Sequence, residues 1–304
     1  MKSIIITGAT SFLGRNVLCE LVKHDYKIYA FVREDSADLW RLPKHNRIEY
    51  IYGSLDELKV VLHYVKEADY FFHFAWDGKG YEGRQSEEKQ NKNIIYSMNA
   101  LKLAKLLGCR QFVFSGSQAE YGCCREMITE ETEANPISAY GKAKLEFSTQ
   151  AMQYCMHTDM QFIHLRIFSV YGPDDRTGTL VDTCVRNFND GKLAELGPCT
   201  QSWNFLYIKD FVSAMMCLIE KGCKTGVYNL ASEDTRVLSE FVLEIYKLSN
   251  QTGEYRFGKE SDNPEGSPEL QPSINKIKDA IGWYPRYCFA DGIKCIMKEI
   301  LKGE

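Results

Sequence analysis

The chain has 304 residues, 44% hydrophobic and 26% charged, with a formal net charge of −4. That length holds a large core or two lobes, and the acidic balance offers no general attraction for nucleic acid or anionic lipid. No apolar run approaches the roughly 18–20 residues that span a bilayer, and MKSIIITGAT enters a strand with no signal-peptide pattern.

The 11 cysteines are odd in number and none forms Cys-x-x-Cys, so reduced thiols in a cytoplasmic protein are expected. The six histidines are scattered without metal-ligand spacing, and no metal is expected.

Residues 3–7 read as a strand, β-branched at Ile4, Ile5 and Ile6. It breaks into TGATSFLG and a helix over 15–24. A strand, a glycine turn and a helix suit a pyrophosphate, because the backbone must approach closely and a helix N-terminus offers free N–H groups. Gly8 and Gly14 fit that role, and Ser11 takes the middle position. Thr10, Phe12 and Leu13 complete the expected cofactor-binding turn. A second strand, 27–32, ends with Val32 where an acid would meet an adenosine ribose, and Arg33 follows. An arginine there suits a 2′-phosphate, so NADP(H) is favoured over NAD(H).

A third strand, 47–52, leads into Ser54 and Leu55 at the sheet edge and then a helix over 56–66. The strand at 69–76 brings Phe74, Ala75 and Trp76 to the same edge, with His73 as a packing residue. A polar loop at 76–86 carries Arg84, a candidate for an anionic substrate group. A helix over 90–107 has Asn93 near its start. Phe112, Val113 and Phe114 then form a short buried strand that delivers Ser115, Gly116 and Ser117 to its end. Tyr140 and Lys144 stand four apart on one helix face. A hydroxyl, a phenol and an ammonium together can move a proton onto or off a sugar or alcohol oxygen. Tyr255 and Lys259 repeat the spacing between two glycines, with no preceding strand or serine pair, and read as coincidental.

A strand at 161–168 completes a pattern of alternating strands and helices, which implies a parallel, doubly wound α/β sheet. After Tyr171-Gly172-Pro173 the elements shorten. Helices are expected over 180–189, 210–221, 238–249, 273–281 and 290–301, strands at 203–208 and 226–231, and loops at 174–178, 191–201 and 253–271. The first domain is therefore placed at 1–168, rejoined by about 205–232. A smaller α/β substrate lobe takes 169–204 and 233–304.

With TGATSFLG, HFAW, FVFSGSQAEYG, SAYGKAK and LRIFSVYGP in order, the chain resembles the extended short-chain dehydrogenase/reductases. It is most similar to their nucleotide-sugar epimerases, dehydratases and ketoreductases. The resemblance implies a Rossmann-type domain, a nicotinamide cofactor, a nucleotide-sugar substrate between the lobes, and a homodimer formed by the helices at 90–107 and 140–156. It makes Tyr140 the general acid/base, with Lys144 favouring the phenolate of a group that titrates near ~10 when free. Ser117 would bond the reacting oxygen, Asn93 matches the asparagine of the helix behind the active site, Ser115 and Ile167 would flank the cofactor, and Ser54 and Leu55 would lie at its adenine end.

Departures narrow the reaction. Dehydratases of this family carry aspartate and glutamate after the active-site serine or threonine, where this chain has Gln118 and Ala119. A cysteine two places after the serine serves the combined epimerase-reductases, and Ala119 replaces that too. Glu120 falls one place too far along and, in a strand-like run, would face the other way. Hydride transfer at one carbon remains: NADPH-dependent reduction of a 4-keto sugar, or alternatively a 4-epimerase retaining NAD. A non-catalytic NADP-binding sensor is a third reading. Gln118, Ser169 and Trp203 are expected at the substrate. Ser169 stands where relatives often have asparagine, and Trp203 where many carry the arginine of Arg-Asp-Phe.

Overall fold

The computed structural model describes residues 1–260 and 268–300. The middle of the loop expected at 253–271 and the last residue of the helix expected at 290–301 lie outside the described residues.

The strands are β1 (Lys2–Thr7), β2 (Tyr26–Val32), β3 (Ile48–Tyr52), β4 (Tyr70–His73), β5 (Gln111–Ser115), β6 (Gln161–Ile167), β7 (Ser169–Tyr171), β8 (Leu193–Glu195), β9 (Ser202–Tyr207), β10 (Gly226–Leu230), β11 (Thr235–Val237) and β12 (Glu254–Arg256). Seven of them form one sheet in the order β10-β6-β5-β4-β1-β2-β3, every pair parallel. The helices are α1 (Phe12–Leu21), α2 (Tyr81–Gln85), α3 (Glu87–Leu106), α4 (Ala139–Cys155), α5 (Leu180–Asn189), α6 (Ile208–Lys221), α7 (Leu238–Leu248), α8 (Asn275–Ile281) and α9 (Phe289–Ile300).

Both faces of the large sheet are covered, which is why its strands read as unbroken apolar runs. Successive side chains alternate between the faces. Ile4, Ile6, Phe72 and Val113 join the core under α1 and α6. Ile5, Phe71, Phe112 and Phe114 join the core under α3 and α4. There Phe114 meets Phe147 edge-on with centroids 4.5 Å apart, which fixes α4 against the end of β5.

Several expectations change. Residues 55–63 form 3-10 turns kinked at Glu57 rather than the α-helix expected over 56–66. Their buried side chains, Leu58 and Val61, are three apart and match a three-residue turn. The loop at 76–86 contains α2, whose fold is held by Gln90. Four strands were not anticipated: β7, β8, β11 and β12 have three residues each, too few to display alternation. β11 and β7 flank β9, and β12 pairs with β8. Residues 205–207 pair with β7 in the small sheet instead of rejoining the large one, so the return runs through α6 to β10, which lies beside β6.

Candidate active site

The turn after β1 is built for close backbone approach. Gly8 has φ +73°, and a Cβ there would lie 2.5 Å from the Ala75 amide nitrogen. A Cβ on Gly14 would lie 2.2 Å from the Gly8 carbonyl oxygen. Ser11 caps α1, its Oγ accepting the Gly14 N–H at 3.1 Å. The cleft above this turn is lined by Gly8, Thr10 and Ser11, by Val32, Arg33, Ser36 and Asp38 after β2, and by Phe74, Ala75 and Trp76 after β4, with Leu55 alongside. It opens at the carboxyl ends of the strands where their order reverses, the usual place for a ligand in such sheets. The close approaches, the helix N-terminus and the arginine fit a dinucleotide. Arg33 is exposed, its Nε 3.8 Å from Asp35. Asp38, which no motif marks in the sequence, sits 3.6 Å from the Arg41 Nε.

The side chains of Phe12, Leu13, Ser54, Ile167 and Ser115, also expected at the cofactor, do not line this cleft. Phe12 and Leu13, in the first turn of α1, pack on the core. Ser54 Oγ donates to Glu57, Ile167 is buried at the end of β6, and Ser115 Oγ donates to the His73 carbonyl at 3.1 Å.

Tyr140 and Lys144 are both buried on α4. A Cβ on Gly141 would lie 2.5 Å from the Ala119 carbonyl oxygen, so the first turn of α4 presses on the segment after β5. Lys144 Nζ donates to the Ser115 carbonyl at 2.5 Å. The same nitrogen lies 3.8 Å from the Trp76 ring centroid, 4.6 Å from Phe114 and 5.5 Å from Tyr140. This is an aromatic cage, favourable to a cation. Burial, then the charge of Lys79, pulls the ammonium well below the usual lysine range; Arg84 adds to this and Glu120 opposes it. Trp76 is held by Gln90, its Nε1 donating to Oε1 at 2.8 Å. Gln90 Nε2 also donates to the Gly83 carbonyl at 2.8 Å, organising α2. That places the Arg84 guanidinium 4.2 Å over the Tyr140 ring.

Asn93, expected in the catalytic set, is bonded to the loop after β4. Its Oδ1 accepts the Asp77 N–H at 3.0 Å and its Nδ2 donates to the Asp77 carbonyl at 2.9 Å. Its amide thus fixes the loop after β4. His73 is neutral and structural, its ring nitrogens 2.7 Å from Thr7 Oγ1 and 2.9 Å from Ser97 Oγ. Burial, then Lys144, pushes its pKa down to about 3.

Ser117 is extended and caps a 3-10 turn, Gln118–Glu120; its Oγ accepts the Ala119 N–H and donates to Gln118 Oε1, both at 3.2 Å. The chain does not continue as a strand here, so Glu120 does not face as expected. Its carboxylate is fully buried and accepts from the Ser117 N–H at 2.8 Å, His164 Nε2 at 3.0 Å and Arg166 Nε at 3.1 Å. Burial pushes its pKa up, but His164, Arg166 and the Ser117 amide outweigh that and hold it below the ordinary range. The Ser-x-x-Glu spacing of a capping box was the readable signal.

A second cleft lies in the smaller lobe, where Ser169, Trp203 and Phe205 face Asp175, Arg176 and Thr179. Ser169 and Trp203 therefore line one cleft, while Gln118 is bonded to Ser117. Burial pushes the Asp175 carboxyl up to about 6, Arg176 opposing and Asp182 reinforcing the shift. Among the described residues no cluster of metal-ligating side chains occurs and no helix is long and apolar enough to cross a membrane.

A model of the NAD dependent epimerase/dehydratase family matches residues 4–231. UDP-glucuronic acid decarboxylase 6 of Arabidopsis thaliana is 26% identical over 95% of this chain and 86% of its own. The dTDP-4-dehydro-6-deoxyglucose reductase of Escherichia coli is 23% identical over 98% of each. The fold is shared with UDP-glucuronic acid 4-epimerase from Bacillus cereus, solved with UDP-glucuronic acid and NAD: the TM-score is 0.85 at 20% identity, covering 99% of this chain and 100% of that one.

Proposed function

Because the chain belongs to the NAD-dependent epimerase/dehydratase family, we propose that it reduces a nucleotide-linked 4-keto sugar, with NADPH as hydride donor and Tyr140 as proton donor. The observation that carries this reading is the turn after Ser117. Gln118 and Ala119 have no group to protonate a leaving hydroxyl or remove a carbon-bound proton, and Glu120 is clamped into the core. Hydride transfer to one carbon needs none of them.

When bound in the cleft, NADPH would supply the hydride, held there by Arg33, Ser36 and the turn after β1. The Tyr140 hydroxyl passes its proton to the carbonyl oxygen as that carbon is reduced, and the phenolate left behind regains a proton from solvent. The caged Lys144 ammonium stabilises the phenolate. The Ser117 hydroxyl turns from Gln118 to donate to the same oxygen. Arg33 and Ser36 at the end of β2 favour the 2′-phosphate of NADPH. Arg176 supports binding of the substrate's diphosphate near Trp203.

A retained-NAD 4-epimerase is the second reading. Asp38 in the same cleft favours it, since a carboxylate there can accept a ribose hydroxyl. The deciding assay incubates the protein with NADPH and nucleotide-linked 4-keto-6-deoxy sugars and follows loss of nicotinamide absorbance. Oxidation of NADPH by a ketosugar is expected, and Tyr140→Phe should lower turnover by about 10²–10⁴-fold with NADPH still bound. Epimerisation of a nucleotide hexose without added cofactor, and no NADPH oxidation, overturns the reductase reading.

A further inference from the structure

The catalytic set leaves the buried carboxylate of Glu120 unused. Glu120 sits directly beneath Ser117, and its surroundings form a hydrogen-bonded chain between two catalytic elements. Ser148 Oγ on α4 lies 2.6 Å from His164 Nδ1, His164 Nε2 lies 3.0 Å from Glu120 Oε1, and that oxygen accepts the Ser117 N–H at 2.8 Å. A carboxylate only accepts, so Nε2 carries a proton and donates it to Glu120. Ser148 is one turn beyond Lys144, itself one turn beyond Tyr140. One helix therefore presents the proton donor, the ammonium and the far end of this chain on one face.

The segment from Ser115 to Ser117 is gripped at both ends. Lys144 takes the Ser115 carbonyl and Glu120 takes the Ser117 amide. Gly116 between them packs close to the cluster with no room for a side chain, since a Cβ there would lie 2.2 Å from His164 Nε2 and 2.7 Å from Glu120 Oε1. Arg166 holds the second carboxylate oxygen and lies 4.3 Å over the Tyr121 ring, which closes the cluster from below. We infer that Glu120 is a positioning residue: its buried carboxylate, braced by His164 and Arg166, fixes the Ser117 backbone so that the hydroxyl meets the reacting oxygen. This rests on the proposed reading of Ser117 and Tyr140 as the proton-transfer pair.

Removing Glu120 alone would orphan the Arg166 charge and unfold the cluster, so the test uses two paired variants of the full chain. Glu120→Gln/Arg166→Met keeps an acceptor oxygen for the Ser117 amide, and Glu120→Met/Arg166→Met has none. The Met pair should show a kcat about 10–100-fold below that of the Gln pair. KM, NADPH affinity and Tm should match between the two. The Ser117 amide proton resonance should move upfield in the Met pair relative to the Gln pair. Equal kcat values, a kcat loss that follows a fall in Tm, or an unchanged Ser117 resonance overturns the inference. Turnover that survives Tyr140→Phe overturns the reading of the site instead, and the Ser117 resonance still decides the role of Glu120.

Discussion

Asp175 is a carboxyl whose environment makes a pH dependence. Burial in the second cleft raises it to about 6 against Arg176, whose backbone N–H donates to its Oδ1 at 2.7 Å. Below that pH the group is neutral and does not repel an anionic substrate. As pH rises through about 6 it ionises and the cleft gains a negative charge. KM for a nucleotide sugar is therefore expected to rise by about 2–5-fold across this range, and Asp175→Asn to flatten the rise. A KM profile unchanged by the substitution would place Asp175 away from the diphosphate. Lys144 is the opposite case. The same rings that exclude water from its ammonium supply π-faces in return, so the cation is held by Trp76 and Phe114 as well as by the Ser115 carbonyl.

Elements meet here through glycine contacts and amide tethers. The turn from β1 into α1 works because Gly14 packs against the Gly8 carbonyl with no room for a side chain. Gly14→Ala forces backbone apart rather than moving a flexible side chain. It should cost about 1–3 kcal/mol of stability and abolish NADPH binding measured by fluorescence titration. Retained NADPH affinity would show that the cofactor does not use this turn. Across the sheet edge, α3 acts through side-chain amides instead. Its Gln90 and Asn93 hold the loop after β4 and the short α2 in place. Arg84 and Trp76 owe their positions beside Tyr140 and Lys144 to that helix.

At the scale of the molecule the two clefts are built by different parts of the chain. The first uses the ends of β1, β2 and β4, and the second uses β7, β9 and the loop that follows β7. Asp174 in that loop ties the parts together: the Arg15 guanidinium donates to its carbonyl at 3.1 Å, and its carboxylate lies 3.8 Å from Arg41. The two linings nonetheless share no residue, so mutations in the two clefts should separate. Arg33→Ala should weaken NADPH binding about 10-fold while leaving NADH unchanged. Trp203→Ala should raise substrate KM about 10-fold with NADPH affinity unchanged. Coupled losses in either variant would show that the clefts do not act independently.

What the sequence determined by itself was whatever is written in consecutive residues. The isoleucines of β1, the Gly8–Gly14 turn and the Tyr140–Lys144 spacing define a doubly wound sheet, a dinucleotide turn and a helix face, because short-range periodicity and backbone sterics act within a few residues. The tertiary structure alone decided what those residues touch. Trp76 reaches Lys144 from the loop after β4, Asn93 holds that same loop, and Glu120 pairs with His164 and Arg166 from β6. Burial and hydrogen bonding between distant segments set these roles, and a spacing along the chain carries no record of them. Glu120 marks the boundary: its distance from Ser117 was readable as a capping box, but only the buried partners turn that spacing into a brace for the proposed catalytic serine.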